Sequence, residues 1–208
     1  MADDTHTLHG NAPDHSPLAL VIIDMINDLE YPGGEALFAS GLPVAQRIAA
    51  LKRRAQAAQI PVIYANDNFG RWRSDFRQVV AHCLYDGVRG QPLAELLKPD
   101  QDDYFVLKVK HSAFFASTLE ILLKYLGVRA LLLTGIAGDN CVLFTANDAY
   151  MRDLALYVPA DCSASISAEE NSRALAYMQR VTKADIRPSS ELDLAELRQQ
   201  AGERAGVY

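Results

Sequence analysis

The stretch Val128–Tyr150, "VRALLLTGIAGDNCVLFTANDAY", carries the reading of the whole chain. It opens on a short apolar run, "VRALLLTG", bounded by a glycine, which predicts a strand buried on both faces. It closes on "DNCVLFTANDAYMRD", where Val142, Ala146 and Ala149 share one helical face. A strand therefore hands over to a helix within a few residues, and Cys141 stands at the handover. Asp139 or Asn140 is the expected N-cap. The thiol then falls in the first helical turn, beside unpaired backbone N–H groups and the positive end of the helix dipole. Both favour thiolate, the reactive form of cysteine.

The same alternation extends in both directions. "LALVIID" (Leu18–Asp24), "IPVIYAN" (Ile60–Asn66), "YFVLKV" (Tyr104–Val109) and "LALYVPAD" (Leu154–Asp161) read as buried strands, and "ADIRPS" as a short sixth. Helical patterns lie between them. One begins at Pro43, with Val44, Ile48, Leu51 and Ala55 in a stripe. "DFRQVVAHCLYDG" stops at Gly87, and "STLEILLKYLG" places Leu119, Leu122, Leu123 and Leu126 together before Gly127 ends it. "SAEENSRALAYMQRV" starts with a capping-box spacing, Ser167 to Glu170. Strands alternating with helices predict an α/β fold, a doubly wound, mostly parallel six-stranded sheet with helices on both faces. One domain over residues 17–208 accounts for the globular part, and residues 1–16, which hold His6, His9 and His15, are expected to form a mobile tail.

Composition narrows the function. The net charge of -6 argues against a nucleic-acid surface, and the one basic cluster, Lys52-Arg53-Arg54, reads as a solvated helix face. Three cysteines make no disulfide framework. The polar N-terminus lacks an apolar signal region, and no apolar run approaches a membrane span. A cytoplasmic, reducing setting is expected, with no membrane partner.

In an open α/β sheet, ligands bind beyond the carboxyl ends of the strands. Asp24 closes the first strand, Asn66 and Asp67 the second, Lys108 the third and Gly135 the fourth, just before Cys141; Asp161 and Cys162 follow the fifth. An acid, a lysine and a cysteine thus come from three strand ends. Each has a bland reading as well: Cys141 as a small core residue, Asp24 as a turn cap, Lys108 as an edge lysine beside Lys110. Cys83 reads as a core residue inside a helix, and Cys162 lacks a helix start.

Three segments, "ALVIIDMINDLE", "VLKVKHSAFFASTLEILL" and "LLLTGIAGDNCVLFTANDAY", resemble in order and spacing the signatures of the isochorismatase-like cysteine hydrolases, a family that includes nicotinamidases and N-carbamoylsarcosine amidases. The resemblance runs from Leu18 to Arg187. It implies a catalytic set of Asp24, Lys108 (not Lys110) and Cys141, an oxyanion hole from the backbone N–H groups of Ala137 and Cys141, and a cis bond between Ile136 and Ala137. It implies attack of Cys141 on a small amide or carbamoyl compound, with a thioester intermediate and no cofactor, in a homodimer or homotetramer.

Two departures bear on the substrate. Leu29 replaces an aromatic residue that often lines the pocket. Asp67-Asn68-Phe69 stands where nicotinamidases carry Asp-x-His, so no metal is expected, and His82 is read as lacking partners. The expected substrate-binding residues are Leu29, Phe69, Arg71, Trp72 and Phe114. The loop "NDNFGRWRSDF" offers Arg71 and Arg73 on either side of Trp72, either to read a carboxylate or to pair with Asp67 and Asp75 at the surface. Within the family an enol-ether hydrolase with a passive cysteine is the alternative. A catalytically idle binding protein and a redox thiol are the others, the last without a C-x-x-C motif.

Overall fold

A computed structural model describes residues 15–70 and 75–204. Leu18–Ile23 forms β1, and all six of its residues are buried. Val62–Asp67 (β2), Tyr104–Lys108 (β3), Ala130–Ile136 (β4), Ala155–Tyr157 (β5) and Ser163–Ala164 (β6) complete a six-stranded sheet. Every pairing is parallel, in the order β3-β2-β1-β4-β5, and β6 lies beside the end of β4 at Gly135 and Ile136. The chain winds outward from β1 through β2 to β3, then returns to the other side of β1 with β4. The gap between the ends of β1 and β4 is therefore the topological switch point, where such sheets bind ligands.

The strand period of two divides the core by parity. Leu18, Leu20 and Ile22 of β1 pack on one face, against Gly34–Ala57 (α1), Phe76–Tyr85 (α2), Gln91–Leu96 (α3) and Leu194–Glu203 (α7). Ala19, Val21 and Ile23 pack on the other, against Leu119–Leu126 (α4), Leu143–Tyr150 (α5) and Ala168–Val181 (α6). Helix ends follow the local sequence: Asp75 caps α2 through Gln78 N–H, Ser167 caps α6 through Glu170 N–H, and Gly127 closes α4 in the left-handed region.

Four readings need correction. α1 starts at Gly34, nine residues before Pro43, which lies inside the helix. Gly41, about two turns in, brings α1 close to Leu93 and Ile136, and that packing outweighs the helix-breaking residues. "ADIRPS" does not form the sixth strand; Asp185 makes a single parallel bridge to Tyr157, and Ser163–Ala164 takes the place beside β4. The basic cluster is not a solvated face as a whole. Lys52 is buried, with Nζ 2.6 Å from Asp103 and 2.8 Å from Asp100, and Arg54 donates to the carbonyls of Ser189 and Leu192. Ser16, assigned to the tail, is instead buried and donates its N–H to Leu126 O at 2.9 Å; residues 1–14 lie outside the described residues. Among the described residues, no helix is long and apolar enough to cross a membrane.

Candidate active site

β1 delivers Asp24 to the switch point in a left-handed conformation, φ 52°. Its N–H donates to Ala65 O, and its Oδ1 accepts the N–H of Asp67 at 2.7 Å, so the adjacent strand end fixes the carboxylate. The turn that follows is clamped by Asn66, whose amide bonds both the N–H (3.3 Å) and the carbonyl (2.6 Å) of Ile26.

Lys108, the last residue of β3, has no accessible side-chain surface. Its Nζ lies 2.8 Å from Asp24 Oδ2, 3.4 Å from Cys141 Sγ and 3.5 Å from Asp67 Oδ2, and donates to Lys110 O at 3.2 Å. Lys110, two residues on, is exposed; the strand ends at Lys108, and the chain turns away before Lys110. The reading of Lys108 as a solvated edge lysine does not hold, since its side chain has no access to solvent; Asp24 does cap the adjacent strand end through Asp67 N–H, and it pairs with Lys108 as well.

Cys141 sits in a π-helical turn, Gly138–Val142, that leads into α5. The peptide bond between Ile136 and Ala137 is cis. Neither Asp139 nor Asn140 caps the turn; the N-cap is Ala137, with no side-chain bond, and its carbonyl accepts the N–H groups of Asn140 and Val142. A side-chain network holds the turn from outside. Asp139 N–H donates to Ser165 Oγ, which donates to Asn171 Oδ1, while Asn171 Nδ2 donates to Ser163 O. A Cβ at Gly138 would lie 2.0 Å from Asn171 Oδ1, so a larger residue there would push Asn171 out of this network. On the other side, Thr145 Oγ1 donates to Cys141 O at 2.7 Å and accepts Ala113 N–H at 3.0 Å. Thr145 thereby couples the cysteine turn to the loop that follows Lys108.

The electrostatics differ from the thiolate expected at a helix start. Burial and then the Asp24 charge push the Cys141 thiol up to about 12, and Lys108 opposes them only in part. Burial also pushes Asp24 above the ordinary carboxylate value, against the pull of Lys108. Burial works against the Lys108 ammonium, but the charges of Asp24 and Cys141 outweigh it and hold the group protonated. These shifts favour the protonated thiol and the charged ammonium, and they make Asp24 a stronger base than a solvated carboxylate.

The expected substrate contacts divide. Phe69 is partly exposed on the loop after β2, with its N–H on Asp67 Oδ1. Leu29 has no accessible surface and packs in the core beneath the loop, so it is not on a pocket wall; its side chain is apolar and the loop folds over it. Phe114 is likewise buried, under the guanidinium of Arg152 at 4.7 Å. Arg71, Trp72 and Arg73 lie outside the described residues. His82 is not without partners: it contacts Asp86 at 2.7 Å and Asp28 at 3.2 Å, linking α2 to the loop after β1. Asp161 holds Ser189 through both oxygens, and Cys83 and Cys162 are buried.

Sequence reasoning passed over Tyr31, Thr145, Ser165 and Asn171. Tyr31 is partly exposed on the loop after β1; burial first and then the Asp24 charge push its hydroxyl up to about 12. Only the "YPGG" turn signal marked it. The other three are small polar residues inside helical or loop patterns, where nothing in the spacing distinguishes them. Among the described residues, no group of three or more His, Cys, Asp or Glu side chains is placed to hold a metal ion.

A doubly wound parallel sheet with an acid, a lysine and a cysteine gathered at its switch point defines a class of small α/β hydrolases. The Isochorismatase domain model matches residues 18–186, and the chain belongs to the isochorismatase family of hydrolases. It is 41% identical over 174 residues to the uncharacterized isochorismatase family protein YaaI of Bacillus subtilis (strain 168), covering 84% of this chain and 95% of that protein. Isochorismatase from the same organism is 30% identical over 172 residues, 79% of this chain; the chain spans about half of that relative, 54%. The fold is shared with N-carbamoylsarcosine amidase from Thermoplasma acidophilum at a TM-score of 0.63 and 24% identity, over 85% of this chain and 98% of that one.

Proposed function

We propose that this protein is a cysteine amidohydrolase that cleaves a carbon–nitrogen bond of a small amide or carbamoyl compound through a thioester on Cys141. The observation that carries the reading is the contact of one buried ammonium, Lys108, with both Asp24 and Cys141. Asp24 accepts the thiol proton as Sγ attacks the carbonyl carbon, and Lys108 offsets the two negative charges that the step would otherwise bring together. The backbone N–H groups of Ala137 and Cys141 receive the oxyanion. The proton then passes from Asp24 to the leaving nitrogen, the C–N bond breaks, and ammonia or an amine departs. Asp24 next deprotonates a water that adds to the thioester. The C–S bond breaks, the acid product leaves, and the thiol recovers its proton.

An enol-ether hydrolase is the second reading, favoured by the 30% identity to an isochorismatase. That chemistry needs no nucleophilic sulfur. A screen for ammonia release from small amides, ureido acids and carbamoyl compounds, run beside an enol-ether panel, separates the two. Ammonia release lost in Cys141→Ala supports the first; enol-ether turnover retained in Cys141→Ala establishes the second; silence on both panels supports an idle binding protein.

A further inference from the structure

We propose that Asp67 sets the charge preference of this site, accepting a hydrogen bond from a cationic or N–H-rich group of the substrate and turning anions away. This deepens the amidohydrolase reading and rests on it for what a substrate is.

Three charged side chains meet at the switch point. Lys108 has 0% of its side chain accessible, Asp24 7% and Asp67 34%. Two carboxyl groups face one ammonium, so acidic groups outnumber basic ones here and any excess charge is negative in sign. Asp67 is the member that an incoming molecule reaches, and the excess is therefore presented there.

Its geometry leaves it able to act. The main chain of Asp67 is fixed, opposite Lys108 in the β2–β3 register and bonded to Asp24 Oδ1 through its N–H. Oδ1 accepts Phe69 N–H at 2.7 Å. Oδ2 stands 3.5 Å from Lys108 Nζ, longer than the roughly 2.7–2.9 Å of a strong charge-assisted bond. That oxygen keeps acceptor capacity for another donor. Asp67 Oδ2 and Cys141 Sγ also share Lys108 Nζ as a neighbour. A substrate of a few heavy atoms spans from one to the other, with its carbonyl at sulfur and an ammonium or ureido N–H group at Asp67. The class selected is a small amide or carbamoyl compound bearing such a donor close to the scissile carbonyl. This is opposite in sign to a carboxylate reader built on Arg71 and Arg73.

The test needs no known substrate. Cys83 and Cys162 are buried, so small thiol reagents report on Cys141. Rates with 2-aminoethyl methanethiosulfonate, a cation, and 2-sulfonatoethyl methanethiosulfonate, an anion of similar size, are measured by mass spectrometry. Taking their ratio cancels changes in thiol acidity, and normalising it to the ratio for 2-mercaptoethanol cancels the reagents' intrinsic reactivities. We expect the wild type to favour the cation by about tenfold. Asp67→Asn should cut that preference about fivefold, and Asp67→Glu should keep it. Salt raised to about 1 M, where the screening length falls to about 3 Å, should weaken it in the wild type without any substitution. A wild-type preference for the anion overturns the proposal, as does a ratio in Asp67→Asn within about twofold of wild type. Equal losses in Asp67→Asn and Asp67→Glu also overturn it, because shape and not charge would then decide. An intact preference with no ammonia release on any amide retires the amidohydrolase reading and leaves charge selection by Asp67 standing.

Discussion

Lys108 and Asp24 form an ion pair 2.8 Å long in which neither side chain has appreciable access to water. A buried pair of this kind is weak support for stability, because desolvation offsets most of the attraction. Its position beside a thiol gives it a different use: Asp24 is held ready to take a proton, and Lys108 compensates the charge as it moves. Predictions follow from each member of the set.

Cys141→Ala should abolish hydrolysis and leave the fold intact, since Cys141 is only partly buried and its turn is held by Ser165 and Thr145. Turnover should fall below about a hundredth of wild type, a loss of several kcal/mol of transition-state stabilisation. Cys83→Ala, in the core, should leave turnover near wild type. Steady-state rates with matched circular dichroism spectra check both.

Lys108→Met should slow alkylation of Cys141, because the ammonium is the one group lowering the thiol pKa. Lys110→Met should not, as only the main-chain carbonyl of Lys110 touches Nζ. Second-order rate constants with iodoacetamide at fixed pH decide between the lysines; the reverse pattern would show that the register is misassigned.

Alkylation should rise steeply with pH. With the thiol pushed up to about 12, thiolate is the minor form at neutral pH, and its fraction grows roughly tenfold per pH unit until the pKa is approached. An iodoacetamide rate that already levels off between about pH 7 and 9 would mean a thiol with a pKa at or below the ordinary value of about 8.5, not a raised one.

Activity should survive dialysis against a chelator, because Asp67 is followed by Asn68 and Phe69 where a histidine ligand would be needed. Loss of turnover restored by zinc or another divalent ion would contradict the metal-free chemistry.

Lys52→Ala should destabilise the protein by about 3 kcal/mol or more, since it strands the buried carboxylate of Asp103. It should also free the Tyr64 hydroxyl from one of its two partners, the other being Leu97 O. Urea unfolding monitored by fluorescence measures the loss; a change below about 1 kcal/mol would place Lys52 among ordinary surface pairs.

The strands and the reactive set were legible because their signals are local. A run such as "LALVIID" is apolar, of strand length, and ends in an acid, and Cys141 follows "TG" at a strand end. The start of α1 was hidden because Pro43 and Gly41 are breakers by local rules, and only contact with Leu93 and Ile136 gives them a place. Lys52 looked solvated because its partners stand about fifty positions away, in a loop that carries no pattern. The thiol's acidity was misjudged for a similar reason. Helix position can be read from spacing, whereas the burial that dominates the shift depends on how the strand ends close over the site.

The two borders of the sheet are unlike. Beyond β5, Asp185 bridges Tyr157: its N–H donates to Leu156 O, its carbonyl accepts Val158 N–H, and the carbonyl of Ile186 accepts Ala160 N–H. Beyond β3, no strand lies among the described residues, and Phe105 stands half exposed. A molecule with one open border can add a strand there once. Two copies joined at β3 would each cover the border that the described residues leave open in the other, so growth by this route would halt at a pair and would not run on into a fibre.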